Sequence, residues 1–217
     1  MTTSAEELLV LFDFRDPHSY LALNPTRALI ERTGVVSHWI PFLGKTLRAP
    51  TAPEPGADRG TLHRWHRASY AERDLIRYAA AQGLPAQHFE DGGLYRQGNG
   101  EIAALGFNWA MGEGPAVARN FLTEMFQGYW DGNLDVDKAA DVERALALAG
   151  ADAEGFDVYC AGQGLEEFAA QREEAVAAGG FGPPSFIFAG QVFLGRQHLP
   201  RLEALITAEL GGAGETA

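Results

Sequence analysis

The chain has 217 residues, 46% hydrophobic and 11% aromatic, which is enough for a packed core and excludes a disordered chain. Its formal net charge of −12 argues against nucleic acid as a partner, because phosphate binding needs a basic face, and against anionic membrane surfaces. The one cysteine, Cys160 in FDVYCAG, excludes an intrachain disulfide and reads as a small packing residue.

The N-terminus, MTTSAEELLV, has acidic residues before its first apolar run and no basic segment, so no signal peptide is expected. No run reaches the roughly 18 apolar residues of a membrane span. The expected compartment is the cytosol, with no membrane partner.

Leu8 to Phe14 is a nearly continuous apolar run, which predicts a strand covered on both faces. The stretch DPHS (16–19) follows. Asp16 suits a helix N-cap and Pro17 the first helical position. Tyr20, Leu21, Leu23, Ala28, Leu29 and Ile30 continue with helical spacing, and Gly34 ends it. Pro25 falls inside and predicts a kink. VVSHWIPF (35–42) reads as a second strand, so strand, helix and strand form a right-handed parallel crossover.

Residues 44–60 are rich in Pro, Gly and Ala and read as a long loop, in the manner of a lid. From Thr61 to Gly179 the pattern is helical. LHRWHRASYAERDLIRYAAAQGL is one helix or two, ended at Gly83. A second segment starts near Pro115 and runs to Trp130. DVDKAADVERALALAG and AEGFDVYCAGQGLEEFAAQREEAVAAGG follow, each closed by Gly. PSFIFAGQVFL predicts a hairpin turning at Ala189-Gly190. RQHLPRLEALITAEL closes the chain as a helix, and the tail GGAGETA should fray.

The order β-α-β, helical block, β-β-α is that of an α/β, thioredoxin-like fold with a helical insertion. Residues 5–60 and 180–210 form the thioredoxin-like domain, and 61–179 the insertion.

A strand running into a tight turn and a helix is a good place for chemistry. Asp16, His18 and Ser19 are therefore the candidate catalytic residues: an acid at a helix N-terminus, a group that titrates near neutral pH, and a hydroxyl. The helix field should lower the carboxyl pKa of Asp16 unless burial raises it again. Phe107 and Trp109 in LGFNWAM suit either a flat aromatic pocket or plain core. His63 and His66 stand three residues apart on a helical segment but lack a third ligand, so no metal is expected.

FDFRDPHSYLAL, together with GGFGPPSFIFAGQVFLGRQHLPRLEALI, resembles the DsbA-like thioredoxin superfamily. Within it the chain is most similar to the branch of 2-hydroxychromene-2-carboxylate isomerase and kappa-class glutathione transferase. ERDLIRYAAAQGL and FQGYWDGNLDVDKAADVERALALAGAD look like that branch's insertion helices, so the resemblance runs from about Leu8 to Ile206.

In the disulfide-exchanging members the turn is C-P-H-C. Here Asp16 and Ser19 replace both sulfurs, so dithiol chemistry at this turn is excluded. In the isomerase branch the first position is a Ser that hydrogen-bonds the thiol of glutathione, where this chain has Asp16. Pro184 matches the family's cis-proline. Pro183, before it, has no N–H to offer a cysteinyl backbone. The family's Asp-Arg pair is replaced by Gln197 and His198, preceded by Arg196. Asn99 in QGNG looks like the family's Asn.

The resemblance implies an isomerase-type enzyme for a small aromatic or conjugated carbonyl compound, working by acid–base chemistry. Pro183, Pro184, Asn99, Trp109, Arg196 and His198 would contact substrate. No cofactor is expected, and glutathione is disfavoured. A non-catalytic ligand- or partner-binding protein and a glutathione-dependent isomerase or transferase are the alternatives. Family members often dimerise, which implies a homodimer.

Overall fold

The computed structural model describes residues 6–90, 93–96 and 98–212. The chain after Gly212, where the tail is expected to fray, lies outside them. Four strands form one sheet: β1 (Leu8–Phe12), β2 (Ser37–Pro41), β3 (Ser185–Phe188) and β4 (Gln191–Leu194), in the order β2-β1-β3-β4. β1 and β2 are parallel, with Leu8 opposite Ser37 and Phe12 opposite Pro41. β3 runs antiparallel to β1, with Val10 opposite Phe186, and pairs with β4 as a hairpin. That hairpin turns at Ala189 and Gly190, whose φ angles of 48° and 70° are the pair of positive values a type I′ turn requires.

β1 is buried at every position, and its alternation divides two cores. Leu8 and Val10 face a cluster with Ala22, Leu29, Phe186, Leu202 and Ile206. These come from α1 (Pro17–Thr33), from the hairpin and from the closing helix (Leu199–Gly212). Leu9 and Leu11 face the opposite cluster with Ile40, Phe42, Ala175 and Ile187. The strand ends at Phe12, not Phe14, because the Asp13 carboxylate accepts the Arg15 N–H at 2.9 Å and turns the chain.

Helices fill the span between β2 and β3: α2 (Arg59–Ala81), α3 (Gln87–Glu90), α4 (Glu101–Glu113), α5 (Pro115–Trp130), α6 (Ala139–Ala149), α7 (Phe156–Ala161) and α8 (Gln163–Ala177). The closing helix is α9. α2 is continuous and begins two residues before Thr61, because the Asp58 side chain caps it by accepting from the N–H groups of Gly60 and Thr61. α7 and α8 break at Gly162 within the segment read as one.

α1 passes through Pro25 and continues to Thr33, ending on Gly34 in the left-handed region. Proline removes the N–H that would bond the Leu21 carbonyl. The Gln82 side chain, at the C-terminus of α2, donates to that carbonyl at 3.1 Å instead.

α4 does not stand out in the sequence, because it is apolar nearly all round. Ala103, Ala104, Leu105, Gly106, Phe107 and Ala110 are all buried. A Cβ on Gly106 would lie 2.5 Å from Val142 and 2.8 Å from Phe121, so the glycine permits the close approach of α5 and α6. The largest core gathers Phe107, Phe121, Phe126 and Trp130 around Phe12, Phe14 and Tyr20 from the β1–α1 segment.

Candidate functional site

The β1–α1 turn gathers the predicted catalytic residues. Asp16 is the N-cap of α1, and its carboxylate accepts from the Ser19 N–H at 2.7 Å and the His18 N–H at 3.4 Å. The Ser19 hydroxyl donates to the same carboxylate at 2.7 Å and accepts the Asp13 N–H at 3.3 Å. Ser19 is therefore a buried brace behind Asp16.

Three hydrogen bonds and a helix N-terminus all favour the carboxylate form of Asp16. Burial opposes them and wins. It pushes the carboxyl up to about 7, against the pull of Ser19, with the Asp13 charge adding to the rise. The lowering expected from the helix field alone is overturned. The carboxyl is shared between its two protonation states near neutral pH.

Asp13 and Arg15, which sequence reasoning did not single out, hold the turn in place. Both side chains are almost fully buried, and they pair at 2.7 Å. The Arg15 Nε also donates to Asp13 at 3.0 Å, giving a two-point contact. Asp13 accepts the Gly44 N–H at 2.9 Å. Arg15 donates to the carbonyls of Gly44, at 3.0 Å, and of Gly98. One ion pair thus ties the turn to the loop after β2 and to the segment before α4. A Cβ on Gly44 would lie 2.9 Å from the Pro183 ring, so the Pro183–Pro184 loop closes on the same point.

The Pro183–Pro184 peptide is cis. Pro184 is buried and Pro183 half-buried. The Ser185 hydroxyl donates to the Gly182 carbonyl, and the Pro184 carbonyl accepts the Gly195 N–H at 2.8 Å. That bond connects the loop to the 3₁₀ turn Arg196–His198, which packs against α1. Arg196 lies over the Tyr78 ring of α2 at 3.8 Å. Surrounding protein and the Arg196 charge lower the pKa of His18 below its ordinary 6.5, while Asp74 pulls the other way. His18 is exposed and neutral at pH 7.

Of the residues expected to contact substrate, Pro183, Pro184 and Arg196 come to this corner. Asn99 sits beside Arg15 in the segment that Arg15 holds, but its side chain accepts from the Glu101 N–H at 2.8 Å. His198 is exposed with its ring 6.4 Å from that of Phe193. Trp109 is a correction. It packs against Phe156 and Tyr159 at 5.8 and 5.2 Å, and its indole N–H donates to the Asp152 carbonyl at 2.6 Å. It flanks the helical core at α7. No cluster of three or more His, Cys, Asp or Glu placed to hold a metal occurs among the described residues. No helix among them is long and apolar enough to cross a membrane.

The solved structures with similar folds include 2-hydroxychromene-2-carboxylate isomerase, 20% identical with a TM-score of 0.67, covering 97% of this chain and 98% of that one. A probable DsbA oxidoreductase from Streptomyces coelicolor is 21% identical with a TM-score of 0.72, covering 94% and 90%. The cytosolic disulfide reductase DsbM from Pseudomonas aeruginosa, solved with GSH, is 18% identical with a TM-score of 0.65, covering 94% and 97%. At these identities the likeness speaks for the fold. No curated protein matches the sequence significantly. Residues 7–207, nearly the whole chain, match a single family, and the chain belongs to it: the DSBA-like thioredoxin domain family.

Proposed function

We propose that the protein is an isomerase-type enzyme for a small aromatic or conjugated carbonyl compound, with Asp16 as the proton carrier. The observation that carries this reading is the Asp16 carboxyl itself: braced by Ser19 at 2.7 Å and poised near pH 7, it can both take and return a proton. As a carboxylate it removes the proton from the carbon next to the substrate carbonyl. The electron pair moves into the conjugated system, and the acid returns the proton at its far end. Nothing is gained or lost, so substrate and product are isomers. Arg196 supplies positive charge for the enolate oxygen, and neutral His18 at the rim donates its ring N–H to that oxygen.

Glutathione has no part in this reading. Asp16 stands where a thiol partner is needed, Pro183 has no N–H, and Gln197 replaces a carboxylate. The reading places the protein in the cytosol, like DsbM.

A second reading, a ligand-binding protein without catalysis, draws on a different observation. Cavities of about 560, 530 and 500 Å³ lie in the fold, and none of the three is lined by Asp16, His18 or Ser19. A thermal-shift screen of small aromatic acids, quinones and glutathione identifies ligands, and turnover is then measured on Asp16→Asn. Asn caps a helix about as well as Asp, so the fold should survive. Turnover should fall roughly 10²–10⁴-fold, the scale for losing a general acid or base. Full activity in Asp16→Asn removes Asp16 from the chemistry, and binding without turnover selects the second reading.

A further inference from the structure

The 560 Å³ cavity is well separated from the Asp16 turn. It lies between the C-terminal half of α1, the edge strand β2, α4 and α5. Arg27, on its wall, is ~16 Å further along α1 than Asp16 at 1.5 Å per residue. Its size is in the range of small-molecule sites. Ile30, Trp39, Phe107 and Leu122 give it apolar walls, and its charged groups are Arg27, Arg119 and Glu31.

The two arginines are the unusual feature. The Arg27 guanidinium donates to the Thr123 hydroxyl at 2.9 Å and to the Arg119 carbonyl at 2.7 Å, both uncharged partners. Burial, then the like charge of Arg119, push its pKa down to about 10. Glu31 forms no ion pair with either arginine among the described residues. A half-buried cation lies beside a second cation, and neither is ion-paired to a carboxylate among the described residues, in a protein of net charge −12. An anion entering the cavity would relieve that repulsion, and the walls would reward an apolar body behind it.

We propose that this cavity binds a small apolar monocarboxylate, with its carboxylate on Arg27 and Arg119 and its body against Trp39 and Phe107. The site is independent of the chemistry proposed at Asp16. The probe is 1-naphthoate, titrated calorimetrically against the full chain, with uncharged 1-naphthalenemethanol as its partner. Naphthoate should bind, and the alcohol should bind at least about tenfold more weakly, a difference equal to one lost charge-assisted contact. Arg27→Met and Arg119→Met should each weaken naphthoate by about tenfold or more. Arg27→Met also loses two hydrogen bonds and can lose the fold with them. The Arg119 side chain is exposed and makes no hydrogen bond or ion pair among the described residues, so Arg119→Met decides the matter. Asp16→Asn should leave naphthoate affinity unchanged. Absence of naphthoate binding at millimolar concentration, equal binding of the alcohol, undiminished affinity in Arg119→Met, or loss of affinity in Asp16→Asn would each overturn the proposal.

Discussion

At Asp16 two environments compete for one proton. A helix N-terminus and three hydrogen bonds pull the carboxyl toward ionisation, and burial beside Asp13 pushes it back, to about 7. This makes a thermodynamic prediction that needs no substrate. The folded pKa lies above the unfolded value of 3.8, so between these two the native state keeps a proton the unfolded chain has released. The resulting stability is fully present below about pH 4, declines as pH rises through about 7, and is flat above that. Asp16→Asn cannot titrate. The melting temperature of the wild type relative to that variant should therefore be most favourable in acid and fall steadily between about pH 4 and 8. A difference that stays constant over this range would mean that the hydrogen bonds, not burial, set the carboxyl.

At the scale of the element, α1 depends on a residue far away in sequence. Pro25 leaves the Leu21 carbonyl without its helical donor, and Gln82 supplies one from the end of α2. Gln82→Met keeps the side chain's length and removes the donor. It should cost about 1–3 kcal/mol, the penalty for a buried polar group left unpaired, readable as a shifted urea midpoint with an unchanged slope. An unaffected midpoint would mean that water serves the carbonyl equally well. This contact also marks the limit of what the sequence makes legible. The cap at Asp16, Pro17 at the first helical position, the stop at Gly34 and the turn at Ala189-Gly190 are local chemistry, and the sequence displays them. Gln82, Asp13 and Arg15 act through partners tens of residues away, so neither spacing nor composition reveals them. A charged pair just after a buried strand is the only hint that Asp13 and Arg15 give. α4 is hidden for another reason: a helix buried on nearly every side has no polar face and hence no periodicity. Trp109 misleads because aromatic residues look alike in sequence, whether they line a pocket or flank a core.

For the whole molecule, the first consequence concerns sulfur. Cys160 is the only cysteine, and burial, with Glu143, Asp157 and Glu101 nearby, pushes its thiol up to about 11. At pH 7 only about one thiol in ten thousand is ionised, and exchange needs the thiolate. Insulin reduction should stay at background, with Cys160→Ser indistinguishable from wild type; a clear signal in the wild type that the variant lacks would contradict this. The second consequence concerns cooperativity. The helices between β2 and β3 do not enclose a core of their own. Phe126 of α5 is fully buried, with its ring 6.0 Å from that of Phe12, 4.8 Å from Phe14 and 5.8 Å from Tyr20. Those three come from β1, the turn after it and α1, so the strands and the helical block share one aromatic junction. Removing such a ring leaves a cavity on both sides at once. Phe126→Ala should destabilise the protein by about 3–5 kcal/mol. The loss should reach both parts equally, since neither part keeps its core without the other. Hydrogen exchange tests this directly: the slowest amides of β1 and of α5 should lose protection by the same free energy. If α5 opens at lower cost while β1 keeps its protection, the helical block unfolds independently and the shared junction does not couple it to the sheet.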